Sequence, residues 1–133
     1  MERTILVVDD SATMRQLIGL TLRKVKGCRV LEAPNGAEAA ARLGSGSIDL
    51  IITDIKMPEM DGLELVRRVR GPLGLPDLPI IIVTAKGEEG ARDEGLRAGA
   101  NAYLTKPLLG VQLVDLVERL TAAPSGAGAR REG

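Results

Sequence analysis

Three stretches of the chain are apolar runs without regular alternation: TILVVDD at 4–10, IDLIITD at 48–54 and LPIIIVTA at 78–85. Runs of that length, continuous rather than two-periodic, suit parallel strands buried on both faces. CRVLEA at 28–33 and NAYLTK at 101–106 are weaker strand patterns. Between them the apolar spacing changes to three and four. Met14, Leu17, Ile18, Thr21, Leu22 and Val25 predict one buried helix face, with Ser11 placed to cap its start. Further helices are predicted at 36–44, 62–70, about 88–98 and 110–122, the last with Leu113, Leu116, Val117 and Leu120 on one side.

The order is β-α repeated five times. Strict alternation with short connections implies an α/β fold, a doubly wound parallel sheet with helices on both faces, because crossovers between parallel strands are right-handed. Ligands in such folds bind at the carboxyl ends of the strands, where the strand order reverses. The fourth helix is the poorest former of the set, since interior Gly90 and Gly95 each cost about 1 kcal/mol relative to alanine. That composition reads either as a mobile element or as a helix held by its packing. The arginines at 67–70 read as a solvated helix face.

A chain of 133 residues suits one domain, placed at 1–122, with 123–133 as a disordered tail or linker stub. Eighteen basic and 18 acidic side chains cancel, and Tyr103 is the single aromatic residue. A basic patch with stacking platforms is therefore lacking, which argues against nucleic acid, and the core must be aliphatic. Cys28 has no intrachain partner and reads as a small buried hydrophobe in a reducing compartment. The N-terminal apolar run is too short for a signal peptide or a membrane span, so a cytoplasmic protein without membrane insertion is expected.

The chemistry lies where the strands finish. Asp9 and Asp10 end the first run, Asp54 the third, Thr84 the fourth and Lys106 the fifth. An aspartate after a strand is ordinarily a turn or cap residue, and a single threonine or lysine there means less. Three converging carboxylates are another matter: they repel, raise their own pKa values and call for a cation. Set against Lys106 they leave two negative charges, which a divalent ion would neutralise. All-oxygen ligands without histidine or cysteine favour Mg²⁺, or Mn²⁺, over zinc. A lysine and a hydroxyl beside such an ion complete a cradle for a phosphoryl group, and an aspartate can accept one as an acyl phosphate.

The segments ILVVDDSATMRQLI, DLIITDIKMPEMDGLEL, PIIIVTAK and AGANAYLTKP resemble, in order and from about Thr4 to Ala122, the signature segments of the response-regulator receiver domain, the CheY-like family of two-component signalling. The resemblance implies a (βα)5 flavodoxin-like sheet of five strands in the order 2-1-3-4-5. It implies Mg²⁺ held by Asp9, Asp10, Asp54 and the backbone carbonyl of Lys56. Asp54 would be the phosphoacceptor, fed by a phosphohistidine of a sensor histidine kinase or by a phosphotransfer protein. Thr84 would hydrogen-bond the phosphoryl group and Lys106 would pair with it, aimed by a cis bond to Pro107. Thr84 and Tyr103 would form the switch, remodelling the face of the fourth helix, fifth strand and fifth helix for a downstream docking protein. Lys56 and Lys86 would flank the attacking water and modulate hydrolysis.

The expectation is a monomeric single-domain regulator in chemotaxis, motility or a phosphorelay, with only self-phosphorylation and self-dephosphorylation as activities. Two other readings stay open: a receiver-shaped binding module that is never phosphorylated, and an aspartate-nucleophile phosphohydrolase. Against the latter, Asp9 and Asp10 are adjacent rather than two apart, and nothing resembles a cap over a substrate pocket. Neither G-x-x-x-x-G-K-[ST] nor G-x-G-x-x-G follows the first strand, which disfavours a nucleotide binder.

Overall fold

A computed structural model describes residues 2–45, 47–57 and 60–122, so the expected tail at 123–133 lies outside the described residues. The elements follow in strict alternation: β1 (Arg3–Val8), α1 (Ala12–Leu22), β2 (Cys28–Ala33), α2 (Gly36–Ser45), β3 (Leu50–Asp54), α3 (Gly62–Arg70), β4 (Ile80–Thr84), α4 (Glu89–Ala98), β5 (Ala102–Thr105) and α5 (Gly110–Thr121). All five strands pair in parallel in the order β2-β1-β3-β4-β5, as expected of this doubly wound fold. The outer strands are the edges. Every residue of the central strands β3 and β4 is buried, which is why their sequences show no alternation.

Successive strand residues serve opposite faces. Ile5, Val7, Leu50, Ile52, Ile81 and Val83 pack with Ile18 and Leu22 of α1 and with Leu113 and Val117 of α5. Leu6, Val8, Ile51, Ile80 and Ile82 pack on the other face with Ala39 and Leu43 of α2 and with Leu65, Val66 and Val69 of α3. The chain leaves β1 toward β2 on one side and returns to β3 on the other, so the order reverses beside β1. Their adjoining carboxyl ends form the crevice that this topology offers to a ligand.

The structure corrects several expectations. The ladders are shorter than the apolar runs, because Asp9, Asp10 and Lys106 lie in the turns beyond them. Ser11 does cap α1, accepting the Met14 N–H at 3.2 Å, but Leu17 is 53% exposed and not part of the buried face. Val25 is buried although α1 ends at Leu22, since the turn after the helix folds it back onto the core. Cys28 is only half-buried, because β2 is an edge strand.

The arginines at 67–70 do not form a uniformly solvated face. Arg67 and Arg68 are exposed and pair with Glu94 and Glu64. Arg70 turns inward, donating to the carbonyls of Gly99 and Leu75 and to Asn101 Oδ1 at 2.7–3.1 Å. Burial pulls its guanidinium below the ordinary arginine range. It joins the end of α3 to the turn before β5.

Among the glycines that approach a neighbour closely, Gly95 and Gly62 bear on the site. A Cβ on Gly95 would lie 2.6 Å from Ile82 Cδ1, so this glycine lets α4 sit close on β4, and a larger residue there would have to displace that side-chain methyl. A Cβ on Gly62 would lie 2.1 Å from the carbonyl oxygen of Asp54, while its N–H donates to Ile55 O at 2.8 Å. Contact with the end of β3, and not freedom in a turn, is what Gly62 supplies. Gly90 meets nothing within 4 Å. Gly62→Ala is therefore expected to destabilise by about 1–3 kcal/mol through overpacking against rigid backbone. Gly90→Ala, by contrast, is expected to stabilise by about 0.5–1 kcal/mol through helix propensity. Denaturant melts of the two variants check both signs.

Candidate functional site

The carboxyl ends of β1, β3, β4 and β5 bring together residues from four distant segments. Carboxylate oxygens of Asp9, Asp10 and Asp54 all lie within 4.8 Å of one another. Asp9 is 2% and Asp54 7% exposed, whereas Asp10 faces solvent. Lys106 Nζ donates to Asp54 Oδ2 at 3.1 Å across 52 residues of sequence. The backbone N–H of Lys106 donates to Thr84 O at 2.8 Å, and the Lys106-Pro107 bond is cis. The convergence expected from the strand ends is present.

Asp9 and Asp54 are held by local structure. The N–H of Asp9 donates to Ala33 O, and its Oδ1 accepts the Ser11 N–H at 2.9 Å. Its carbonyl accepts Arg15 Nη1 at 2.7 Å, while Arg15 Nε donates to Glu32 Oε1 at 2.9 Å, tying α1 to β2 across the turn. Asp54 keeps its ladder position opposite Val83, its carbonyl accepting Thr53 Oγ1 at 2.9 Å beneath Gly62. Asp61 caps α3 by accepting the Glu64 N–H at 2.9 Å, which fixes the exit from the loop carrying Lys56.

Electrostatics depart from the simple repulsion argument. The Asp9 carboxyl is raised above its ordinary value chiefly by burial; the Ser11 N–H opposes this, and only then does the charge of Asp54 add to it. Desolvation leads because the turn covers Asp9 before any neighbour acts on it. Partial burial pulls the Lys106 ammonium down, but its bond to Asp54 and the fields of Asp54, Asp9 and Asp10 outweigh that and leave it raised. The donor set is all oxygen, partly buried and short of positive charge, so it fits a hard divalent cation.

Among the remaining expected residues, the Thr84 hydroxyl is buried and donates to Leu104 O at 3.4 Å, toward β5. Tyr103 is 41% exposed, its ring beneath the Arg92 guanidinium at 4.9 Å from the centroid. Lys86 is exposed. Lys56 Nζ lies 3.3 Å from Glu88 Oε2, so its ammonium engages the loop after β4.

Sequence reasoning passed over Glu88. Its Oε1 accepts the Ala85 N–H at 2.8 Å, making it the link between the loops after β3 and β4. A glutamate before a helix gives no signal of that reach, although one three residues beyond a strand's last turn residue is placed to bond back to it. The contacts of Arg15 to Glu32 and of Arg70 to Gly99 were missed for a like reason, since they join elements distant in sequence.

The geometry defines a class: a doubly wound α/β protein with a buried aspartate paired to a half-buried lysine in an acidic crevice at the topological switch. The response regulator receiver domain family matches residues 5–118, and the chain belongs to that family. It is 43% identical over 126 residues to a chemotaxis protein CheY homolog of Campylobacter jejuni, covering 94% of this chain and 97% of that one. Chemotaxis protein CheY of Pseudomonas aeruginosa is 37% identical over 122 residues, with 92% and 98% covered. The solved structure of the chemotaxis response regulator CheY4 of Vibrio cholerae superposes with a TM-score of 0.81 at 33% identity, covering 90% of this chain and 99% of that one.

Glu88 gives the site a measurable pH response. Its carboxyl is held below the ordinary value of 4.5, first by the Ala85 N–H and then, against some burial, by Lys56. A depressed carboxylate contributes stability fully above its unfolded pKa and loses it as pH falls through the lower folded value. The Ala85 amide resonance is accordingly expected to titrate with a midpoint below 4.5, and Lys56→Met to move that midpoint only part of the way back. A midpoint at or above 4.5 contradicts the contact.

Proposed function

We propose that this chain is a single-domain response regulator that accepts a phosphoryl group on Asp54 from a phosphohistidine of a sensor kinase or phosphotransfer protein. The observation that carries the reading is the Asp54–Lys106 pair, 3.1 Å apart within a cluster of three carboxylates. In the transfer, with the donor ring protonated on its other nitrogen, the P–N bond breaks, its electron pair stays on the ring nitrogen so that the imidazole leaves neutral, and an Asp54 carboxylate oxygen forms the new O–P bond. Phosphoryl transfer needs mainly positioning and charge neutralisation. Asp54 is positioned by its ladder and by Gly62, and Lys106 supplies one positive charge.

Asp9, Asp10, Asp54 and the Lys56 carbonyl would hold Mg²⁺, or Mn²⁺, with Asp10 the most accessible of the carboxylates. The chemistry such an ion supplies when bound is neutralisation of the clustered carboxylates and of the phosphoryl oxygens. Receiver domains bind Mg²⁺ through an acidic pocket of this kind, which supports the assignment. Thr84 would leave Leu104 O to bond the phosphoryl group, and Lys106 would shift its contact from Asp54 alone to the new oxygens. Tyr103 would respond to the Thr84 movement by turning from its exposed position.

The output surface is the α4/β5/α5 face. A cleft of about 600 Å³ on its β5 and α5 side, lined by Tyr103, Lys106, Pro107, Leu109, Leu116 and Arg119, supports that part of it as the place where a downstream protein docks. The similarity to chemotaxis proteins favours chemotaxis or another motility pathway, with a phosphorelay as the same chemistry put to another end. No described helix is long and apolar enough to cross a membrane; action in the cytoplasm as a monomer, without membrane insertion or nucleic acid, is part of the same proposed reading. The activities proposed are self-phosphorylation and self-dephosphorylation, not turnover of a separate substrate.

Intact-protein mass after treatment with a small phosphodonor tests the reading. A Mg²⁺-dependent phosphoryl adduct is expected on the wild type and not on Asp54→Asn. An adduct that persists in Asp54→Asn, or none on folded wild type with Mg²⁺ present, overturns it. Lys56 and Lys86 flank the route of the hydrolytic water in this reading. Lys56→Asn and Lys86→Ala are thus expected to shorten the life of the adduct, and equal decay in wild type and both variants would remove that role.

A further inference from the structure

The loop after β4 carries an anion of its own at the edge of the acidic crevice. Glu88 Oε1 accepts the Ala85 N–H at 2.8 Å, its Oε2 lies 3.3 Å from Lys56 Nζ, and the charge of Lys106 also reaches it. Ala85 directly follows Thr84, and Lys56 follows Asp54 by two residues. One carboxylate therefore ties together both loops that flank the cluster. A backbone N–H that bonds a carboxylate in this way is an anion-binding donor. Phosphoryl oxygens are acceptors of the same kind carrying more charge.

We propose that Glu88 is a positioning residue that occupies the Ala85 N–H in the resting protein and surrenders it to a phosphoryl group on Asp54, so that uptake requires the Glu88 side chain to swing away. The inference rests on the Asp54 reading above. With acetyl phosphate as donor, the P–O bond to the acetyl group breaks, acetate departs with the electron pair, and Asp54 forms the new O–P bond. Glu88 exchanges no proton in that step; it changes only which anion the Ala85 N–H serves.

The displacement has a structural consequence. Glu88 is the residue before α4, with φ −107° and ψ 33°, and its side chain makes no capping bond to the helix. Its carbonyl accepts the Arg92 N–H at 3.0 Å and its N–H donates to Ala85 O at 3.1 Å. A Glu88 side chain released from Ala85 and repelled by new negative charge repositions the first turn of α4, at one end of the proposed docking face.

The test is the initial rate of adduct formation from acetyl phosphate with Mg²⁺, read by intact mass in wild type, Glu88→Ala and Glu88→Gln, with Asp54→Asn as blank and melts confirming that each variant folds. Glu88→Ala is expected to take up the phosphoryl group roughly twofold to tenfold faster than wild type, the span of one net hydrogen bond. Glu88→Gln, whose amide oxygen still accepts the Ala85 N–H, is expected to stay nearer the wild-type rate. An unchanged or slower rate in Glu88→Ala overturns the latch while leaving Asp54 chemistry standing. Equal acceleration in both variants also overturns it, because charge alone would then account for the effect. Absence of an adduct on wild type overturns the Asp54 reading and the latch with it.

Discussion

The ion pair between Asp54 and Lys106 is the contact on which the rest of the site depends. It closes 52 residues of chain into a 3.1 Å contact, and it does so where the neighbouring charges are of one sign. Burying a carboxylate costs free energy unless hydrogen bonds and opposite charge offset it. Lys106 offsets part of that cost at Asp54, and the Ser11 N–H does so at Asp9. The cluster stays short of positive charge all the same. A fold that tolerates such a deficit must derive its stability elsewhere, and here the source is an aliphatic core on both faces of the sheet, with no Phe or Trp.

That division of labour shows in the loops. The strands fix where each acid emerges, but long side chains set how the connecting turns lie. Arg15 binds the Asp9 carbonyl and Glu32, Glu88 binds the Ala85 N–H and Lys56, and Arg70 binds the Gly99 and Leu75 carbonyls and Asn101. Each joins segments that belong to different β-α units. A charge-assisted bond to backbone is stronger than one between neutral groups, and partial burial protects it from screening by salt. The crevice is thereby braced from the outside, while its interior keeps charge available for a ligand.

Much of this was legible in the sequence, because the features concerned are periodic or local. Continuous apolar runs gave the buried strands, three-four spacing gave the helices, and the acids at the strand ends converge as parallel topology requires. Misreadings arose where one signal served two structures. Leu17 fits the apolar spacing of α1 yet is exposed, because the sheet beneath supports only the stripe through Ile18 and Leu22. Gly95 reads as a helix weakness until its contact with Ile82 is known, and Arg70 reads as one of three like arginines until its carbonyl partners are. Contacts of that kind depend on the register between separate units, which composition and spacing do not encode.

α4 gathers the consequences. Gly95 lies against Ile82, and Ala91 and Ala98 pack on the same core, while the residue before the helix reaches the site. Glu88 and Arg92 are four residues apart and joined by a backbone hydrogen bond, which places them one turn apart on the same side. The first reaches the loop beside Asp54, and the second lies over the Tyr103 ring at cation–π distance. A rearrangement of that first turn thus bears on the exposed aromatic directly, without passing through the core. Helix propensity points the same way, since Gly90 weakens the turn that carries both contacts.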